Sequence, residues 1–123
     1  LTEHLREDLP RNAQEMVWHS MVAQLQMRIG ITVCNLPRDN LYFVKAERGM
    51  LGALDWLDGH LDAVLASLPA PRDISLFEVT LFCLLQHIDF RPSVSLAAFP
   101  RLRDFAESFA LRESARRTPY RFD

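Results

Sequence analysis

An all-α fold, a bundle of about four to five helices in a single domain, is predicted by three features of this sequence. Apolar residues recur at alternating steps of four and three, most clearly at Met50, Leu54, Leu57, Leu61, Val64 and Leu68. The run from Ile74 to Phe90 opens with a helix-start signature and is then apolar on nearly every side, the pattern of a buried helix. No segment alternates apolar and polar residues as a half-buried strand would.

Each element has its own justification. Leu1–Pro10 reads as a loose lead-in. A first helix is expected from Arg11 to Asn35, with Trp18, Met21, Val22, Leu25 and Ile29 on one stripe at helical spacing. Gly30 and the β-branched Ile31-Thr32-Val33 weaken its end, and Leu36-Pro37-Arg38-Asp39 reads as a turn. Asp39 or Asn40 is positioned to cap a second helix from Leu41 to Leu68, which carries the clearest amphipathic stripe. Gly49, Gly52 and Gly59 lie within it and cost about 1 kcal/mol each relative to Ala. Close approach to a neighbouring helix is one use for them, and a local break is the other.

Pro69-Ala70-Pro71-Arg72-Asp73 interrupts the chain before the third helix, Ser75 to Phe90. Ser75 and Glu78 form a capping box, in which each side chain satisfies a backbone N–H left over at the helix start, and Ile74 with Val79 makes the hydrophobic staple. Pro92 prevents continuation, so Arg91–Ala98 is a connector. Phe99, Leu102, Phe105, Ala106 and Phe109 supply the buried side of a last helix, with Pro100 near its first position, where a missing N–H does no harm. The tail from Arg116 to Asp123 is expected to pack as an extension.

The composition fits one compact domain: 123 residues at 49% apolar content are enough to bury a core. A formal charge of −2 gives no electrostatic reason to expect nucleic acid or an anionic membrane as partner. No apolar run approaches the roughly 20 residues that span a bilayer. Leu1-Thr2-Glu3-His4 has no signal-peptide pattern, and the absence of an initiating Met is expected of a segment of a longer protein. Cys34 and Cys83 form no close pair, so two free thiols in a reducing, cytoplasmic setting is the simpler reading.

Catalytic constellations are absent from the pattern. His4, His19, His60 and His87 are scattered, with no pair at the i, i+4 spacing of a helical zinc site, so no metal is expected. Asp55, Asp58 and Asp62 share a helix face and read as a solvated surface. Ser20, Ser67 and Ser108 lack a glycine elbow, and no Gly-rich phosphate loop occurs. The arginines at 112, 116, 117 and 121 sit among acids and read as surface. No catalytic residue is assigned.

An ordered series runs from the capping box through His87-Ile88-Asp89-Phe90-Arg91, then Pro100, Leu102 and Phe105, then Arg112-Glu113-Ser114 and Thr118-Pro119. This series resembles the carboxy-terminal helical domain of glutathione S-transferases, especially soluble bacterial ones. The family's cap is Ser/Thr-x-x-Asp, its buried helix often ends in an Asp-Phe-Arg run, and its next helix carries Pro-x-Leu-x-x-aromatic. Departures are Glu113 where proline is common, a connector without the tryptophan many bacterial members carry, and Leu65-Ala66-Ser67-Leu68-Pro69 in place of a tyrosine-leucine-x-Gly run.

The resemblance implies a division of labour. Glutathione and the activating Ser, Cys or Tyr belong to an amino-terminal thioredoxin-like domain, and this chain shows none of that domain's βαβ pattern. The helical domain implied by the resemblance lines the apolar electrophile's site and lends a helix to a homodimer contact. It holds no cofactor itself, glutathione being the cosubstrate of the parent protein. Candidate wall residues carried over are Trp18, Met21, Gln24, Gln26 and Arg28 from the first helix, and His87 from the third. In some bacterial classes a Glu-Leu-His run stands on the first helix, where Gln24-Leu25-Gln26 lacks both ionisable groups. His87 reads equally as a hydrogen-bonded core histidine. The alternative function is a non-catalytic interaction or regulatory module of the same fold.

Overall fold

A computed structural model of the chain describes residues 5–121. Five α-helices and a π-helical turn, Ile29–Val33, account for the regular structure of these residues: α1 (Asp8–Arg28), α2 (Leu41–Ser67), α3 (Leu76–Phe90), α4 (Pro100–Phe109) and α5 (Glu113–Arg117). No strand occurs among the described residues. The all-α prediction therefore holds. The expectations for Leu1–His4 and for Phe122 and Asp123 lie outside the described residues.

α3 is enclosed along its length, with Asp89 the one exposed residue from Leu76 to Phe90. Its N-terminus is the predicted capping box: the Glu78 N–H donates to Ser75 Oγ at 3.2 Å, and the Ser75 N–H donates to Glu78 Oε2 at 2.9 Å. Arg72 ties this cap to the end of α2, donating to Glu78 Oε2 at 3.3 Å and to the Leu65 carbonyl at 3.1 Å. Phe77, Leu81, Leu84, Leu85 and Ile88 are then buried, as an apolar helix with few polar positions demands. α2 buries the stripe read in the sequence, Met50, Leu54, Leu57, Leu61, Val64 and Leu68, together with Phe43. Asn40, rather than Asp39, caps it, accepting from the Tyr42 N–H at 2.9 Å.

The first helix departs from expectation in three ways. It begins earlier, at Asp8, because Pro10 falls in the first turn, where its missing N–H breaks no bond. It ends in a π-helical turn over Ile29–Val33, closed by Cys34 N–H to the Ile29 carbonyl at 3.0 Å, with Asn35 in the left-handed region at φ 54°. Its apolar stripe also points outward: Trp18, Val22, Leu25 and Ile29 are 46, 51, 43 and 53% exposed. The buried side is Ala13, Gln14, Val17, Ser20, Gln24 and Met27. Polar residues can face inward there because the two glutamines find partners across the core, which removes most of the cost of burying an amide.

The glycines of α2 do not serve close approach. A Cβ built at Gly49, Gly52 or Gly59 meets nothing within 4 Å, and α2 runs through all three unbroken. Close approach belongs to Gly30, where a Cβ would run into the Phe43 ring. Asp58 is not a free surface carboxylate either. Its Oδ1 accepts from the N–H groups of Arg101 at 2.9 Å and Leu102 at 3.1 Å, so a residue of α2 caps the start of α4. Leu102 and Ala106 are buried from α4, while Phe105 and Phe109 are half-buried, Phe109 resting 4.7 Å from the Phe82 ring. Glu113–Arg117 forms the short α5, a helix the sequence pattern does not mark, and it takes in the first two residues of the expected tail.

Candidate functional site

Two hydrogen bonds set the register between α1 and α3. Gln14 Nε2 donates to Thr80 Oγ1 at 2.9 Å near one end, and Gln24 Nε2 donates to the Arg91 carbonyl at 2.7 Å at the other. Both chains advance in the same direction between these points, so α1 and α3 run parallel. Gln14, Trp18, Met21, Leu25 and Arg28 follow one another at steps of four and three along α1. Leu76, Thr80, Cys83 and His87 do the same along α3. The two rows form a shared face about 20 Å long, at 1.5 Å of rise per residue.

At its upper end this face has a hollow of about 200 Å³, lined by Leu5, Arg11, Gln14, Glu15, Trp18, Leu76 and Phe77. Gln14 is 4% exposed, and its Oε1 has no hydrogen-bond partner. Thr80 gives its hydroxyl proton to the Leu76 carbonyl at 2.9 Å, which leaves an oxygen lone pair free to accept from the Gln14 amide. Met21 is half-buried against the core.

The lower end is built from α1, the end of α3 and the tail. Arg28 reaches over to the Pro92 carbonyl with Nη1 at 3.4 Å, and its Nε is buried without a partner. The ring of His87 lies 5.6 Å from that of Tyr120, which also stacks on Phe90 at 5.7 Å. His87 Nδ1 is buried without a partner. Burial, then the positive charges of Arg91 and Arg28, pushes the His87 pKa down from its ordinary value, so the ring is neutral at pH 7. Burial, then Cys83, pushes the Tyr120 phenol up, and burial alone pushes the Cys83 thiol up. At neutral pH the phenol and the thiol both keep their protons.

The sequence-selected residues divide accordingly. Trp18, Met21, Arg28 and His87 share the α1–α3 face. Gln24 does not present itself there: it is fully buried, and its Oε1 accepts from the Ser93 hydroxyl while its amide holds Arg91, so it fastens the connector to α1. Gln26 lies on the side toward α2, where its Oε1 accepts from the Tyr42 hydroxyl at 2.6 Å. Ser75 and Glu78 are structural, as expected. Sequence reasoning missed Gln14 and Tyr120 as parts of this face. Neither leaves a periodic signal, since one is polar inside the bundle and the other arrives from an irregular tail.

A larger cleft of about 780 Å³ lies elsewhere, between the connector, α4 and the end of α3, with Arg38, Glu47, Asp89, Arg103 and Glu107 on its walls. Arg38 borders it while donating to the Ser93 carbonyl at 3.4 Å. Its walls carry both signs of charge, and none of the sequence-selected wall residues reaches it. Among the described residues no group of three His, Cys, Asp or Glu side chains is placed to hold a metal ion, and no helix is long and apolar enough to cross a membrane. No protein-family model, no curated protein and no solved structure matches this chain.

Proposed function

We propose that this chain is the helical carboxy-terminal domain of a cytoplasmic glutathione S-transferase-like protein. In this reading its α1–α3 face walls the site of an apolar electrophile, and α1 contributes to a homodimer contact. A second, thioredoxin-like domain brings glutathione and its thiolate to that face. An apolar wall favours addition by holding the electrophile beside the thiolate and excluding water, so the rate gain comes from proximity and orientation.

The observation that carries the reading is the pairing of a buried, box-capped α3 with a parallel α1 whose large apolar residues point away from the core. Trp18, Val22, Leu25 and Ile29 are about half exposed, and Val33 beyond them is 72% exposed. A ridge of this kind on one helix is the surface expected where a second folded unit docks. The half-buried Met21, Arg28 and His87 beside it supply the wall, and the buried Gln24 holds that wall in place.

The same ridge favours a second reading, a docking module that binds a protein partner and catalyses nothing. Retention of the full-length protein on immobilised glutathione separates the two. Specific elution by free glutathione supports the transferase reading. Flow-through of folded protein, together with a complex whose mass rises with partner concentration, supports the docking module and removes the first reading.

A further inference from the structure

The lower end of the α1–α3 face brings a guanidinium, an imidazole and a phenol near one another. Arg28 is half-buried, and among the described residues no carboxylate lies within 4.0 Å of it. Among the described residues its guanidinium makes one hydrogen bond, the long contact to the Pro92 carbonyl, and its Nε is buried without a partner. Removing part of a guanidinium from water without a counter-charge is costly, and a protein does not retain that arrangement cheaply. At the end of α3 the His87 ring, with its unpartnered nitrogen, lies close enough for the Arg28 charge to act on it, and the Tyr120 phenol packs against that ring. The hydroxyl of Tyr120 keeps its proton at neutral pH, so it too is a donor.

We propose that Arg28, His87 and Tyr120 form an oxyanion-binding corner, and that the electrophile held on the α1–α3 face bears a carboxylate seated there. The inference rests on the proposed wall and adds the substrate class: an apolar or aromatic body along Met21 toward Trp18, with an anionic end at Arg28. A guanidinium binds a carboxylate through paired N–H groups in a fixed fork, which fixes the ligand's orientation as well as its charge. Arg28 stands two helical turns beyond Met21 along the same row, so an aromatic carboxylic acid spans the two without leaving the face. Orienting the ligand by its anion gives the wall a directional function that apolar contact alone does not supply.

The test compares 1-naphthoate with its neutral counterpart 1-naphthalenemethanol by amide and indole chemical-shift titration of the 123-residue chain. The proposal expects both to shift signals of Met21 and Trp18. It expects naphthoate alone to shift those of Arg28, His87 and Tyr120, and to bind about tenfold more tightly. Arg28→Gln brings the two affinities together, while Arg28→Lys keeps part of the gap, and the dispersion of each variant's spectrum reports whether it is folded. Equal affinities in the unsubstituted chain, or a preference that survives Arg28→Gln, overturn the oxyanion corner and leave the apolar wall standing. Absence of shifts on this face with either probe overturns both.

Discussion

Several residues in this chain act through long-range pairings, and those are the ones a linear reading cannot see. The Ser75–Glu78 box was legible because both partners lie within four positions and follow a known local geometry. Asp58 follows no such rule. It sits in a row of acids that reads as solvated surface, yet it caps a helix 43 positions further on. Removing its carboxylate leaves the Arg101 and Leu102 amides at the start of α4 without an acceptor. Asp58→Ala is therefore expected to cost about 1–2 kcal/mol in urea-induced unfolding, whereas Asp55→Ala, on the exposed side, is expected to change stability by less than about 0.5 kcal/mol. Equal effects of the two substitutions would show that the cap contributes nothing. Gln14 and Gln24 belong to the same class: their burial depends on partners at Thr80, Arg91 and Ser93 that only the assembled fold supplies.

Helices differ in how far their sequences determine them. α2 and α3 were legible because their core positions are large and apolar, so the repeat at three and four marks the buried side without competition. α1 was misread for the opposite reason. Its buried side is mostly Ala, Gln, Ser and Val with Met27 at one end, while Trp18, Val22, Leu25 and Ile29 form an outer ridge, and hydrophobic periodicity points to the ridge. The glycines show the same split between composition and context. Gly30 alone is required by close contact, here with Phe43, whereas Gly52 faces open space in a helix interior. Gly52→Ala is expected to stabilise the chain by about 0.5–1 kcal/mol. Gly30→Ala is expected to destabilise it by about 1–3 kcal/mol, because the buried Phe43 ring has little room to yield. Both are read from the midpoint of chemical unfolding, and a stabilising Gly30→Ala would contradict the α1–α2 packing described above.

For the whole molecule, the all-helical class and the burial of α3 followed from sequence, whereas the composition of the α1–α3 face followed only in part. Trp18, Met21, Arg28 and His87 come together there because α1 and α3 run parallel, in a register marked by two amide hydrogen bonds that carry no signature in the sequence. Gln24 and Gln26 fall elsewhere for a simple geometric reason. Successive residues on a helix are about 100° apart, so neighbours in a five-residue run cannot all look the same way. The exposed ridge of α1 is the feature that most needs a partner. A second folded unit on it is central to the transferase reading, and that unit is expected to belong to the same polypeptide.

The most direct measurement is the intact mass of the protein as made in its source cells, detected with an antibody against this helical domain. The account predicts a species heavier than the 14.2 kDa of this chain by one small domain, on the order of 100 residues. A native species at the mass of this chain alone would contradict it, leaving a free-standing helical module whose α1 ridge serves a separate partner.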